Sequence, residues 1–212
     1  MSSDGTVRPT GLVLCGGRAS RFGADKALAP LHGESLLQHT LHRLESQVSA
    51  LLLSVQSAST ELESLGLELV PDLVQRHRGP LAGLYSGLQH LDDRGLGDWL
   101  LLTPCDAPFL PIDLASRLFG AVAEREFPIS TARYAGVVQP TFSLWHVSML
   151  DPVRDAVLGA GRGGLMSMLD CLPHISVDWA VSPQPPFFNV NTPEDLGEAG
   201  RLLDAAGGRD RH

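Results

Sequence analysis

Lysine is almost missing from this sequence: of sixteen basic residues, Lys26 is the single lysine and the other fifteen are arginines. Acidic residues outnumber them at twenty-four, and the net charge of −8 excludes a generally basic surface that would hold nucleic acid or anionic membrane. Cysteine is scarce as well. Cys15, Cys105 and Cys171 are odd in number and lack a C-x-x-C spacing, so they read as small buried thiols rather than zinc ligands or a disulfide framework. No apolar run approaches the length of a membrane span, and residues 1–10 are polar, without a charged segment leading into an apolar one. A cytoplasmic protein is expected. Two common phosphate motifs are also missing from the glycine stretch near the N-terminus: Gly23 is followed by Ala24, Asp25 and Lys26, which rules out G-x-x-x-x-G-K-[ST], and residues 11–26 contain no G-x-G-x-x-G. The eight histidines are scattered; His39 and His42 can share a helix face but have no further ligand nearby in sequence.

What the chain does have is concentrated between Gly11 and Lys26, GLVLCGGRASRFGADK. Residues 12–14 read as a buried strand, and Gly16 and Gly17 end it, letting the backbone turn without a Cβ in the way. Such a loop can turn its amide N–H groups toward an anion, and Arg18, Arg21 and Lys26 add charge there. The plainer reading is a strand-to-helix loop that happens to expose basic residues. The lone lysine argues against it. A chain that uses arginine for every other cation places a compact, strongly hydrated ammonium on a flexible stem at this one exposed loop position, which suits a point contact to a phosphate oxygen.

Beyond Lys26 the periodicity predicts alternating helices and strands. Strands are expected at 50–55, 68–70, 98–103, 128–132, 137–145, 175–179 and 187–191, and helices at 34–47, 60–65, 80–91, 112–125, 148–158, 165–172 and 193–206. Pro80 is placed to open its helix, and Thr192 with Asp195 can cap the last one. This pattern demands a mainly parallel sheet with helices on both sides, in which ligands gather outside the carboxyl ends of the strands. Gly16, Asp72, Asp106 and the segment from Asn189 to Asn191 all fall at such ends. Neither an internal repeat nor a domain linker is present, so residues 1–10 are expected to be a flexible N-terminus, 11–206 a single α/β domain and 207–212 a flexible tail.

The loop from Leu14 to Lys26, LCGGRASRFGADK, resembles the signature of nucleotidyltransferases that activate phosphorylated metabolites with a nucleoside triphosphate, and most of all the molybdenum cofactor guanylyltransferases of the MobA type. Pro71-Asp72, Gly79-Pro80-Leu81-Ala82-Gly83, Pro104-Cys105-Asp106-Ala107-Pro108 and Asn189-Val190-Asn191-Thr192-Pro193 come after it in the family's order. Cys15 stands where that family usually has alanine, Phe22 where it has methionine, Ser54 where relatives often carry asparagine, and Gln139 where a histidine often precedes the proline.

The resemblance implies an α/β, three-layer Rossmann-like nucleotidyltransferase fold with a mainly parallel mixed sheet. The implied reaction moves GMP from GTP onto molybdopterin cofactor and releases pyrophosphate. A cytidylyltransferase acting on the same cofactor and a non-catalytic nucleotide or cofactor carrier are the alternatives. The implied partners are GTP, molybdopterin cofactor and the proteins that insert and deliver it, with Mg2+ as cofactor. By the same resemblance Leu14, Cys15, Gly16 and Gly17 contact the nucleotide through their backbone, Arg21 and Lys26 meet its phosphates, and Asp72, Ser54 and Gly79 lie at the base. A carboxylate at Asp72 can accept from both N1–H and the exocyclic amine of guanine, a pair of donors that adenine and cytosine do not offer on that edge. Nucleotidyl transfer must offset charge on the phosphate oxygens, and magnesium prefers one or two carboxylates with phosphates and water. Asp106, alone at a strand end between prolines, is the expected metal ligand; the alternative is a helix N-terminal acid or a turn residue. Gln139, Arg162, Asn189 and Asn191 are candidates for the second substrate, Asn191 also for the metal, and the asparagines can alternatively do no more than tie the last loop together.

Overall fold

The strand Thr10–Leu14 (β1) is buried along its whole length, with Val13 in the apolar layer on one face of the sheet and Leu12 and Leu14 in the layer on the other. Such strands belong in the interior of a sheet covered on both sides. The structure is a computed structural model that describes residues 8–15, 26–74, 79–159 and 164–207. The expected tail after Gly207 and most of the expected flexible N-terminus lie outside the described residues.

Lys26 opens a 3-10 turn, Lys26–Leu28. A small hairpin of β2 (Pro30–Leu31) and β3 (Glu34–Ser35) then precedes helix α1 (Leu36–Leu44). The helix expected from residue 34 begins later because Ser35 and Gln38 form a capping box, the Ser35 hydroxyl taking the Gln38 N–H and the Gln38 side chain reaching the Ser35 backbone. Next come β4 (Ala50–Val55), α2 (Thr60–Glu63), β5 (Glu68–Pro71), α3 (Pro80–Arg94), β6 (Trp99–Pro104) and α4 (Leu114–Arg125). A hairpin of β7 (Ile129–Tyr134) and β8 (Val137–His146) is followed by α5 (Leu150–Leu158), α6 (Leu165–Cys171), β9 (Ile175–Trp179) and α7 (Pro193–Gly207). Cys171, expected to be buried, is exposed at the end of α6.

Among the described residues the main sheet runs β5-β4-β1-β6-β8-β7-β9. β8 pairs antiparallel with both its neighbours, whereas the other pairings are parallel. All strands but β8 therefore point their carboxyl ends the same way. One face packs against α1 and α4 through Leu37, Leu41, Leu114 and Leu118, and the other against α3, α5 and α6 through Leu84, Leu88, Val153 and Met168. This is the three-layer arrangement with a mainly parallel mixed sheet that the sequence predicts. No helix among the described residues is long and apolar enough to cross a membrane.

The strand expected at 187–191 is not one. Phe187 is held instead by its ring neighbours, with centroids 4.8 Å from Phe142 and 5.3 Å from Trp179. Val190 makes one backbone bond, to the Asp106 carbonyl at 3.0 Å, and no ladder. An apolar run anchored by side chains has the same composition as a short buried strand, which accounts for the difference. The segment from Asn189 to Asn191 consequently reaches the strand ends as a loop and not as the end of a strand.

Candidate active site

Asp106 follows β6, the middle strand of seven, and three side chains of neighbouring elements fix the loop that carries it. The Thr40 hydroxyl of α1 donates to the Cys105 carbonyl at 3.2 Å. Gln47 donates to the Pro111 carbonyl at 2.9 Å and accepts from the Ala115 N–H at 2.9 Å. Arg43 donates to the Leu110 carbonyl. A loop of prolines with few backbone donors is thereby held through its carbonyls, and Asp106 is left 7 % exposed.

The Lys26 ammonium forms an ion pair with the Asp106 carboxylate and donates to the Asn191 side-chain oxygen at 2.7 Å. Burial pushes the Asp106 carboxyl above the ordinary aspartate range, and the Lys26 charge pulls it part of the way back. One Asp106 oxygen contacts Lys26; the other, Oδ1, is buried and has no hydrogen-bond partner among the described residues. Asn189 Oδ1 is buried and unpartnered in the same way. Buried acceptors without donors are rare, because each leaves its desolvation uncompensated. These orphans are hard oxygen atoms at the end of a sheet, and they fit a divalent cation that takes one protein carboxylate and completes its shell with phosphate and water. No cluster of three or more acidic, histidine or cysteine side chains among the described residues offers a cation a full protein cage.

Asn191 is held in turn by α7. Asp195 Oδ2 accepts the N–H groups of Asn191 and Thr192, both at 2.8 Å, while the Thr192 hydroxyl takes the Asp195 N–H at 3.1 Å. The expected capping of α7 is present and also orients the residue that bonds Lys26.

A second group lies at the ends of β4 and β5. Ser54 is buried and its hydroxyl donates to Asp72 Oδ1 at 3.3 Å. Burial raises the Asp72 pKa, and the Ser54 hydroxyl opposes the rise. Helix α3 approaches this pair closely because residue 83 is glycine: a Cβ there would stand 2.6 Å from Leu14 Cδ2 and 2.7 Å from Ser54 Oγ. Ser86, on the next turn, accepts the Leu73 N–H at 2.9 Å and donates to the Ala82 carbonyl at 3.0 Å, tying the turn after Asp72 to the helix. The Cys15 N–H donates to the Ser54 carbonyl at 2.9 Å, so the end of β1 lies between the two groups.

The structure brings together Lys26, Asp106 and Asn191, and separately Ser54 and Asp72, with Leu14 and Cys15 between and Gly79 as the extended residue preceding α3. Gly16, Gly17, Arg18, Arg21 and Arg162 lie outside the described residues. Gln139 is near the start of β8, and because β8 runs opposite to β6 that start falls at the same end of the sheet as Asp106. Its side-chain amide donates to the Val137 carbonyl at 3.3 Å. Ser86 is not among the residues that the sequence singles out; a serine in the middle of a helix carries no local signal. Asp195 is legible there only as a helix cap.

A mainly parallel sheet with an acid and a lysine meeting at its carboxyl edge is a Rossmann-like α/β arrangement, and the family match makes it that of a nucleotidyltransferase. The chain belongs to the MobA-like NTP transferase family, whose domain model matches residues 11–176. A molybdenum cofactor guanylyltransferase of Rhodopseudomonas palustris is 38% identical over 193 residues, covering 90% of each chain. Among solved structures, molybdopterin-guanine dinucleotide biosynthesis protein A from Archaeoglobus fulgidus superposes with a TM-score of 0.76 at 21% identity, over 92% of this chain and 99% of that one. A Mycobacterium tuberculosis protein crystallised in complex with manganese superposes at 0.67, also at 21% identity, over 94% of this chain and 99% of that one.

Proposed function

We propose that this protein transfers GMP from GTP to the terminal phosphate of molybdopterin cofactor and releases pyrophosphate. The observation that carries the reading is the meeting of Lys26, Asp106 and Asn191 at the end of the central strands, with one Asp106 oxygen left unpartnered. The guanylyl group and the acceptor follow from the names of relatives such as the Rhodopseudomonas palustris enzyme.

Asp106 would hold Mg2+, with Asn189 or Asn191 available as a neutral oxygen ligand; when bound, the ion would offset charge on the phosphate oxygens. Lys26 sits within reach of the same phosphates and supplies a fixed positive charge where negative charge develops on the leaving pyrophosphate. Until nucleotide arrives, the Lys26 ammonium neutralises Asp106, so the buried carboxylate is never left alone. Arg21 and the amides of Gly16 and Gly17 are the further contacts to the triphosphate. Asp72 accepts from the guanine edge, and Ser54 acts through Asp72, its hydroxyl fixing the orientation of the carboxylate. Gln139, Arg162 and Asn189 bind the pterin substrate, and the protein works in the cytoplasm, handing its product to insertion and delivery proteins.

The test is pyrophosphate release by the purified protein given GTP, Mg2+ and molybdopterin cofactor, with CTP as competitor. Release that requires all three components and is faster with GTP supports the reading. Release favouring CTP assigns a cytidylyltransferase, and tight nucleotide binding without release assigns a carrier.

A further inference from the structure

Cys15 and Cys105 form a thiol pair that nucleotidyl transfer does not use. β1 and β6 run parallel with Leu14 opposite Pro104, and the ladder extends one step past both strands, where the Cys105 N–H donates to the Leu14 carbonyl at 3.3 Å. Cys15 and Cys105 are the next neighbours in that register. Adjacent strands lie about 4.8 Å apart, within the range of Cα separations that a disulfide spans. Both side chains also point to one face of the sheet: Cys105 is buried in the apolar layer beneath α1 and α4, and Cys15 packs against it. The Cys15 thiol, together with burial, pushes the Cys105 thiol up, and both cysteines are free. Their access differs, since Cys15 is half-buried and Cys105 is buried.

We propose that Cys15 and Cys105 are an oxidation site, at which a peroxide converts the pair to a disulfide that joins the ends of β1 and β6 and slows turnover. The more accessible Cys15 reacts first. Its sulfur attacks one peroxide oxygen, the O–O bond breaks, and with hydrogen peroxide the products are a Cys15 sulfenic acid and one water. The Cys105 sulfur then attacks Cys15 Sγ; the S–S bond forms as the S–O bond breaks, and the departing hydroxide leaves with the Cys105 proton as a second water. Two thiols lose two electrons and one peroxide gains them. An adjustment on the ångström scale suffices, because the Cys105 N–H already bonds the Leu14 carbonyl and both cysteines lie in the same apolar layer.

The bond draws Cys105 toward Cys15 and moves the adjoining Asp106 relative to Lys26 and Asn191. The effect on turnover rests on the functional reading above, whereas the cross-link does not. A misplacement on the ångström scale at a catalytic group slows turnover by roughly tenfold or more.

The experiment uses the full chain carrying Cys171→Ala, which removes the exposed third thiol so that it cannot confuse the result. The protein is treated with hydrogen peroxide, digested and mapped by mass, and GTP-dependent pyrophosphate release is followed in parallel. The expected result is a Cys15–Cys105 peptide pair lighter by two hydrogens than its reduced parts, with turnover lost and then restored by dithiothreitol. Persistence of both thiols as alkylatable groups overturns the proposal, as does accumulation of Cys15 as sulfinic acid without a cross-link. A cross-linked protein that turns over as fast as the reduced one overturns it too. If the reduced protein shows no release at all, the functional reading fails on its own and the mass map still decides whether the disulfide forms.

Discussion

Lys26 and Asp106 are an ion pair built from two distant parts of the chain, with side chains 19% and 10% exposed, and the same ammonium donates to Asn191. The pair is asymmetric. Lys26 has a second partner in Asn191, while one oxygen of Asp106 has none among the described residues. A lysine expected on an exposed loop thus proves to be largely enclosed and to compensate a buried acid, which changes what its removal should do.

Lys26→Ala is expected to lower stability near neutral pH by about 1–3 kcal/mol, the range for leaving a buried polar group unsatisfied, as well as to cut turnover. Urea denaturation of Lys26→Ala and of the double variant Lys26→Ala with Asp106→Asn separates the two effects. The double variant should regain most of the stability and none of the turnover. Lys26→Arg should rescue poorly, because a planar fork replaces a point charge. An arginine variant working at the wild-type rate would sink the argument from the single lysine.

Asp106→Asn keeps the shape of the side chain and removes its charge. It should leave a folded protein, since the charge it removes is already disfavoured by burial, and should abolish the response of pyrophosphate release to added Mg2+ or Mn2+. The measurement is a metal titration of activity on both proteins. A variant that reaches wild-type rate at saturating metal would place the ion on other residues.

Much of this site can be seen in the sequence because strands covered on both faces give continuous apolar runs, and β4 and β6 are such strands; the residues just past them, Pro104 to Pro108 above all, then stand at a strand end. The Lys26–Asp106–Asn191 contact is different in kind. Those residues are brought together by the order of the strands and by a loop pinned at Val190, and neither fact has a local signature. Ser35 and Gln38 do have one, S-x-x-Q at the head of the apolar spacing that begins at Leu36, and it marks the start of α1 where periodicity alone does not fix a boundary to within about two residues. Phe187 and Val190 mislead because side-chain anchoring and sheet pairing select the same apolar residues.

Asp195 links the cap of α7 to the site. Burial alone would raise its pKa, but the N–H groups of Asn191 and Thr192 and the Thr192 hydroxyl outweigh it, and the folded value is lowered. A lowered carboxylate contributes stability that is present above the unfolded pKa of about 3.9 and is lost as pH falls through the folded value. Asp195→Ala should therefore destabilise the protein near neutral pH by about 0.5–1 kcal/mol, the scale of a helix cap at an exposed position, with the two proteins converging in acid. Turnover should fall further than this stability loss explains, since Asn191 loses the anchor that aims it at Lys26. Unfolding curves from neutral pH down to acid, paired with steady-state rates, test both parts; equal destabilisation at every pH would mean that the carboxylate charge is not what matters.

The base is the place where the expected chemistry is most specific. Asp72 presents a carboxylate whose Oδ1 is held by Ser54, on a turn tied to α3 through Ser86, so its orientation is set before any nucleotide binds. If it accepts from the guanine edge, Asp72→Ala should weaken GTP by about 1.5–3 kcal/mol, as for a charge-assisted hydrogen-bonded group, and CTP and ATP much less. Calorimetry with the three nucleotides measures this, and a uniform loss across all three would mean that Asp72 acts on ribose, phosphate or the turn itself. The pH dependence gives an independent check. Burial raises the Asp72 pKa, so the folded chain holds that proton more tightly than the unfolded chain does. Between the unfolded value of about 3.9 and the raised folded value, stability must then fall as pH rises, and Asp72→Asn should remove that slope. GTP affinity should move the other way over the same window, rising as the carboxylate ionises and becomes a double acceptor, while Asp72→Asn binds GTP weakly and without that pH dependence. A wild type whose GTP affinity is flat across the window would separate Asp72 from the guanine edge.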